Sequence, residues 1–226
     1  MLRAWDFFVF LIPALCLISS GFVLGVLFLF PCLFLYFYIS LLIFMVKQVI
    51  IVAGFARAGK DTVGDYLAEK HGFKKIVFSF FVGEELKKRG IEPTKENKSI
   101  YAQTLFKELG KDYLVKKVFS AMKKYPKVVV VGLKPIWEYE GIKKNYPQAK
   151  MIVVSAPKKM RFARRPIDSP NDFKAFIERD KRDIKQFEIN NVFKKGDYFI
   201  KNDGTIFDLQ KKVEAVYQKY LKDLGE

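Results

Sequence analysis

A stretch of nine residues combines two glycines with a lysine in a spacing that suits phosphate binding. It reads Gly54-Phe-Ala-Arg-Ala-Gly59-Lys60-Asp61-Thr62 and directly follows the apolar run 49–53. The glycines let the backbone wrap closely around phosphate oxygens, so that successive N–H groups point inward. The helix that follows adds its positive N-terminal end, and Lys60 adds a cation for the terminal phosphates. The pattern predicts a P-loop that binds a nucleoside triphosphate such as ATP.

The same stretch supplies the candidates for magnesium binding. Position 61 is Asp, where Ser or Thr usually gives the ion a hydroxyl. Asp61 could ligate Mg²⁺ directly or through water, because the ion prefers carboxylate and water oxygens; alternatively it is a helix N-terminal carboxylate favoured by the dipole. Thr62 lies about 100° further around the helix, so it cannot simply substitute. The residues predicted to contact ATP are Gly54, Phe55, Ala56, Arg57, Ala58, Gly59, Lys60, Asp61 and Thr62, with the metal near Asp61 and Thr62.

The elements that would position this loop are short apolar runs separated by segments with helical periodicity. The predicted strands are Val49–Ala53, Ile76–Phe78, Val128–Val131, Met151–Val154 and Tyr198–Ile200. Continuous apolar strands alternating with amphipathic helices indicate a parallel sheet covered on both faces. Ligands of such sheets bind at the carboxyl ends of the strands, where the P-loop lies. We also predict that Thr94 caps a helix after the turn 91–94.

The chain divides into two parts of unlike composition. Residues 1–46 carry only Arg3 and Asp6 as charged side chains, so the net charge of +16 belongs entirely to residues 47–226. Both cysteines, Cys16 and Cys32, lie in the apolar part, which excludes disulfides and cysteine-based metal sites from the rest. One hundred and eighty residues suffice for one well-packed α/β domain. An intracellular, cytoplasmic location fits the absence of cysteine from that domain.

The apolar segment admits two interpretations. Residues 7–46 form an uncharged run long enough for two membrane-spanning helices, which would anchor the protein to a membrane and leave the domain on the cytoplasmic side. Alternatively, translation begins at Met45, immediately before the first strand, and the segment is an over-extended start. We favour the second interpretation, because an anchor would leave almost no linker before a strand expected at the centre of the sheet.

Further stretches resemble the P-loop kinases of small metabolites, the group of nucleoside-monophosphate kinase and dephospho-coenzyme-A kinase. The nearest resemblance is to an uncharacterised archaeal family of kinase-like proteins. The stretches that carry it, besides the P-loop, are residues 89–97, 106–112, 161–164, 179–180 and 197–204. The resemblance spans about residues 47–220. It implies an α/β, three-layer P-loop NTPase fold with a five-stranded parallel sheet, an acceptor region and a lid at about 161–172.

The resemblance also implies an activity and its residues. The γ-phosphoryl group of ATP would pass to a nucleotide or nucleotide-like small metabolite, with Mg²⁺ present, by positioning and charge stabilisation. The loop Asn202, Asp203 and Gly204 would touch the adenine base. The residues assigned to catalysis are Lys60, Arg161, Arg164, Arg165 and Arg179.

This chain departs from the family pattern on the acceptor side. Phe80 and Gly83 stand where the family has Asp and Arg, and Val131 and Lys134 stand where it has Asp and Arg. Lys134 and the nearby carboxylate Glu138 are the remaining candidates for contacting the acceptor. These departures motivate an alternative function, a catalytically weak ATP-binding module that regulates a protein or nucleic-acid partner. The positive charge permits nucleic-acid binding, but the sequence has no aromatic-interleaved RNA signature, so a small-molecule acceptor is favoured.

Overall fold

A computed structural model of the protein describes residues 48–165 and 172–222, without the side chains of residues 95 and 96. The apolar segment 1–46 and the part of the predicted lid from 166 to 171 lie outside the described residues. The domain boundary near residue 46 therefore stays a prediction.

The centre of the domain is a five-stranded sheet in which every neighbouring pair is parallel. Its strands, numbered along the chain, are Gln48–Ala53 (β1), Lys74–Val77 (β2), Lys127–Val131 (β3), Lys150–Ser155 (β4) and Tyr198–Lys201 (β5). Their spatial order is β2-β3-β1-β4-β5, which places β1 in the middle. The α/β class, the parallel sheet and all five strands are confirmed. One boundary was wrong, because Phe78 begins the next helix instead of ending β2.

Helices connect the strands and cover the sheet. They are Lys60–His71 (α1), Phe78–Lys88 (α2), Lys95–Leu109 (α3), Asp112–Met122 (α4), Ile136–Asn145 (α5), Lys158–Ala163 (α6), Phe173–Phe187 (α7), Ile189–Phe193 (α8) and Ile206–Val216 (α9), the last continuing into a π-helical turn at Tyr217–Leu221. Local signals mark several of their ends. The Thr94 hydroxyl accepts from the Asn97 N–H at 3.0 Å, so the predicted N-cap of α3 is confirmed.

The sheet separates two apolar cores. On one face, Val49, Ile51, Val128 and Val130 pack against α4 and α5. On the other face, alternate residues of the same strands pack against α1 and α9. The central strands are buried on both faces, which is why they read as unbroken Val and Ile runs. A smaller core around Leu86 and Leu105 joins α2 to α3 beside the sheet.

Within the described ranges, 48–165 and 172–222, no helix has both the length and the apolar character needed to cross a membrane.

Candidate functional site

The P-loop follows the carboxyl end of β1, the central strand, as expected for this class of sheet. Gly59 ends the loop with a φ of +105°, which favours glycine. A Cβ at Gly59 would collide with the side-chain amide of Asn202, and a Cβ at Gly54 would collide with the Val154 carbonyl oxygen. Both glycines are therefore required by the close approach of β4 and of the segment after β5.

Two side chains from distant elements hold the loop from behind. Arg161 of α6 donates from Nη1 to the Ala56 carbonyl oxygen at 3.1 Å. Asn202, just after β5, donates from Nδ2 to the Ala58 carbonyl oxygen at 2.8 Å. Because these carbonyls are held by the protein, the loop is preorganised.

Not every amide of the loop is left for a ligand. The Ala58 N–H donates to the Phe55 carbonyl oxygen at 3.1 Å and closes a turn inside the loop. Helix α1 has no side-chain cap, so its first N–H groups, from Lys60 onward, remain for an anion. The amides that could receive a phosphate thus lie at the end of the loop next to Lys60, and Ala58 contributes its carbonyl to the scaffold.

Arg161 is engaged within the protein rather than directed outward. It is 2 % exposed and forms a two-pronged ion pair with Asp180 of α7, with Nη2 to Oδ2 at 2.5 Å and Nη1 to Oδ1 at 3.2 Å. Direct contact of Arg161 with phosphate stays a prediction, and the structure gives this side chain a loop-positioning geometry.

The other two predicted lid arginines differ from Arg161 and from each other. Arg164 donates to the Asn202 carbonyl oxygen at 3.3 Å and to the Gly204 carbonyl oxygen at 3.4 Å. It therefore binds the α6 end to the loop predicted to touch adenine. Arg165 lies with its guanidinium over the Phe162 ring at 4.5 Å. Within the loop itself, hydrogen bonds to Lys201 and Lys212 lower the pKa of the exposed Asp203 to about 2.

A cleft of about 460 Å³ opens beside the P-loop on the β2 side of β1. One wall consists of the loop and the segment after β3, and the opposite wall consists of α2 and α3. We call the lining residues of that opposite wall (Phe78, Ser79, Val82, Lys98, Ser99, Ala102 and Phe106) the acceptor wall. The ionisable side chains in the described lining are Arg57, Lys60, Asp61, Lys98, Lys134, Glu138 and Arg179. The cleft is therefore cationic with apolar surfaces between the charges, which suits a small anionic ligand.

The two acceptor candidates, Lys134 and Glu138, both line this cleft. Glu138 is 3 % exposed, and its Oε2 accepts from the Lys134 backbone N–H at 2.9 Å. The Lys134 Nζ donates to Asp183 of α7 at 2.8 Å and lies over the Phe187 ring. Burial raises the pKa of Glu138 to about 8, against the opposing effect of the Lys134 N–H and ammonium. Glu138 is therefore mainly protonated at neutral pH, and the cleft is more positive than its sequence suggests.

Arg179 and Arg57 face the cleft from α7 and from the loop. The Nε of Arg179 is buried without a hydrogen-bond partner among the described residues. Arg57 has a φ of +62°, and burial together with the charges of Arg179 and Arg165 lowers its pKa. Like charges near one another are stabilised by an anion between them, so contact of Arg179 with a phosphoryl group stays a prediction that this placement permits.

The predicted magnesium residues fit an ion held mostly by phosphate. Asp61 is the second residue of α1, well exposed, and its Oδ2 lies 3.3 Å from the Lys60 Nζ. Among the described residues, no group of three or more His, Cys, Asp or Glu could form a protein-only metal site. Mg²⁺ in kinase sites usually keeps waters and takes one or two carboxylates besides the substrate phosphates. Asp61 satisfies that requirement, with Thr62 beside it.

The sequence interpretation missed three residues that shape the site. Residues 178–183 form a run of mixed charges, a pattern typical of a solvated helix face with near-neighbour ion pairs. That holds for Glu178 and Lys181, which pair at 2.7 Å, but Asp180 and Asp183 are buried partners of Arg161 and Lys134. A signal was present: Phe176, Asp180, Asp183 and Phe187 follow the spacing of one helical stripe. Lys98 of the acceptor wall had no such signal.

Sequence comparison places the chain among known relatives. A UPF0200 protein of Thermococcus gammatolerans is 32% identical over 188 residues, which cover 79% of this chain and 98% of the relative. The chain belongs to the UPF0200 family. A second UPF0200 protein, from Methanothermobacter thermautotrophicus, is 30% identical over 184 residues, covering 79% of this chain and 93% of that one. No family model matches the sequence.

Solved structures identify the fold of this UPF0200 domain. The crystal structure of shikimate kinase from Bacteroides thetaiotaomicron superposes with a TM-score of 0.51 at 15% identity, over 76% of this chain and 97% of that chain. The likeness shows the fold alone, and that fold is the one of P-loop kinases, as the sequence resemblance implied.

Proposed function

We propose that the protein transfers the γ-phosphoryl group of ATP to a nucleotide or nucleotide-like small metabolite, in the cytoplasm. The observation that supports this most is the position of Lys60. It belongs to the P-loop and also lines the cleft whose far side is the acceptor wall. An ATP terminus held at Lys60 would therefore lie beside a second ligand in the same cleft, which is the arrangement that in-line transfer needs.

In this proposal each group has a limited task. Lys60 and the first amides of α1 hold the terminal phosphates, and Arg179 stabilises charge on the transferring group. Mg²⁺, when bound near Asp61, neutralises phosphate charge. The bond between the γ-phosphorus and the oxygen that bridges it to the β-phosphate breaks, and ADP leaves with the bonding electron pair. A bond forms from the γ-phosphorus to an acceptor oxygen, which is a phosphate oxygen in a nucleoside monophosphate or a hydroxyl oxygen in dephospho-coenzyme A, and any proton on that oxygen passes to water. Arg161, through the Ala56 carbonyl, and Asn202, through the Ala58 carbonyl, fix the loop.

The test is transfer by the purified full-length protein from ATP with Mg²⁺ to a panel of nucleoside monophosphates and dephospho-coenzyme A. Lys60→Ala should lower the rate of product formation by at least about 100-fold, because it removes charge stabilisation of the transition state. The matched control is Lys70→Ala, an exposed lysine of the same helix, which should keep the wild-type rate. Undiminished transfer by Lys60→Ala would contradict the assignment.

A second candidate function is supported by the acceptor-side departures. Val131 is fully buried in β3 where the resemblance implies an Asp at the site, and Gly83 has no side chain to offer. A regulatory ATP-binding module would bind ATP tightly and give no phosphorylated product with any acceptor of the panel. Calorimetry with ATP beside the product assay separates the two functions, and a salt-sensitive shift with RNA would favour the module with a nucleic-acid partner.

A further inference from the structure

Lys98 is placed on the acceptor wall in a way that its own helix does not explain. It lies near the N-terminus of α3, at the fourth helical residue, where the helix dipole disfavours a cation. Its side chain is half-buried and lines the cleft. Among the side chains that the structure describes, no carboxylate forms an ion pair with it. Lys98 therefore brings to the cleft lining a cation with no carboxylate partner among the described side chains.

The neighbouring helix provides space for this side chain. A Cβ at Gly83, in the interior of α2, would lie 2.7 Å from the Lys98 Cε and 3.1 Å from its Nζ. Glycine inside a helix is destabilising relative to alanine. The backbone of Gly83 lies within a right-handed helix, so no unusual φ requires glycine at this position. The close approach of Lys98 is thus the feature that a side chain at position 83 would disturb.

The surroundings of Lys98 define what it would bind. The other cations of the described lining are Arg57, Lys60, Lys134 and Arg179, while Glu138 is mainly neutral. Lys60 and Arg179 are assigned to the transferring phosphate, and Lys134 is paired with Asp183. Among the described residues that line the cleft, Lys98 is the cation that lies on the acceptor wall. Phe78 and Phe106, also on the acceptor wall, add apolar surface to the cleft.

From this geometry we infer that Lys98 forms a second anion site, which binds an acidic group of the phosphoryl acceptor. The inference rests on the proposed function and specifies the substrate class: a small metabolite that carries its own phosphate or carboxylate, besides an apolar or planar body that packs on the phenylalanines. Gly83 is the positioning residue of the site, because its missing side chain leaves the path of Lys98 open.

The first test measures anion binding with the ATP site filled. Full-length protein is saturated with the ATP analogue AMP-PNP and Mg²⁺, and inorganic phosphate is titrated at constant ionic strength by ³¹P NMR. Lys98→Met should weaken phosphate binding about tenfold, as expected for a lost charge-assisted hydrogen bond. Lys107→Met, which removes the same charge from an exposed position of α3, should leave it unchanged. Equal effects of the two substitutions, or none from Lys98→Met, would overturn the inference.

The second test uses Gly83→Ala, which leaves Lys98 present but blocks its path. The alanine meets the flexible end of the lysine, so the variant should fold at least as stably as wild type and still weaken phosphate binding severalfold. The double variant should bind no more weakly than Lys98→Met alone, because both changes act through one side chain. Additive losses would overturn the positioning role of Gly83.

Two further readouts complete the design. Acetate is titrated by ¹H NMR under the same conditions, as a carboxylate to compare with phosphate. The anion whose binding is weakened more by Lys98→Met identifies the acidic group of the acceptor as carboxylate or phosphate. AMP-PNP affinity is measured separately by calorimetry. A wild-type protein that fails to bind AMP-PNP would overturn the proposed function, whereas normal AMP-PNP binding with phosphate binding independent of Lys98 would overturn this inference alone.

Discussion

The two sides of the cleft hold their charged and polar groups in opposite ways. Behind the P-loop, Arg161 and Asn202 are buried and donate hydrogen bonds to loop carbonyls, and Arg161 also donates to Asp180. On the acceptor wall, Lys98 lines the cleft with no described carboxylate beside it. In the proposed function, the P-loop side is held in place before any ligand arrives, and the acceptor wall is completed by the acceptor. Phosphate binding would then be separate from acceptor choice, so one side could change while the other stays fixed.

The largest expected effect comes from removing the ion pair between Arg161 and Asp180, which lies behind the P-loop. Arg161→Ala leaves Asp180 as a buried charge without its partner, which should lower the free energy of unfolding by about 3–5 kcal/mol. Chemical denaturation of the variant and of wild type measures the difference. Lys181→Ala, which breaks the exposed pair with Glu178 on the same helix, should change stability little. A small effect of Arg161→Ala would mean that the loop is not held from α6.

The stability of the protein should depend on pH through Glu138, a buried residue of the cleft lining. Its pKa is raised from an ordinary 4.5 to about 8, so between these values the folded protein keeps a proton that the unfolded chain has lost. Stability from this group is therefore full below about pH 4.5 and falls as pH rises to about 8. Glu138→Gln keeps an acceptor for the Lys134 N–H but cannot ionise, so its stability should fall by less over that range. Thermal unfolding at several pH values compares Glu138→Gln with wild type. The same dependence of stability on pH in both proteins would contradict the raised pKa of Glu138.

A smaller change tests the second support of the P-loop. Asn202→Ala leaves the buried Ala58 carbonyl without its 2.8 Å hydrogen bond, which should cost about 1–3 kcal/mol of stability. ATP affinity should fall as well, because the loop is no longer fixed in its binding shape. Calorimetry measures affinity. Asn145→Ala, which removes an exposed bond to a carbonyl within α5, is the matched control and should leave ATP binding intact.

The smallest expected effect concerns the helix that carries Lys98. Thr94→Ala removes the N-cap of α3 and should cost about 1 kcal/mol. Anion binding at the acceptor wall should weaken while AMP-PNP affinity stays constant, because the P-loop does not rest on this cap. Thr104→Ala, an exposed position of the same helix, should affect neither. Loss of AMP-PNP affinity in Thr94→Ala would show that the two sides of the cleft are not separate.

The same contrast explains what could be predicted from the sequence. The five strands and the P-loop follow from contiguous residues, since burial on both faces and the glycine spacing are local properties. The cap of α3 is local too. The facing of helices is not local: Lys98 of α3 lines the cleft and lies against Gly83 of α2, and neither placement can be read from the residues around either position.

The sequence does not rank the predicted catalytic arginines, for a related reason. Four arginines in a polar segment all suit phosphate by chemistry, and their sequence spacing does not rank them. Burial distinguishes them, because Arg161 is buried with Asp180 whereas Arg179 lines the cleft. The stripe that contains Asp180 and Asp183 could have indicated buried partners, but their cationic partners lie on other elements.

The contact between Gly83 and Lys98 has a consequence for the evolutionary record of the family. A side chain at position 83 and a lysine at position 98 compete for the same space, so relatives that gain one are expected to lose the other. Substitutions at the two positions should therefore co-vary across lineages, and under the proposed function each exchange would mark a change in the metabolite that is bound.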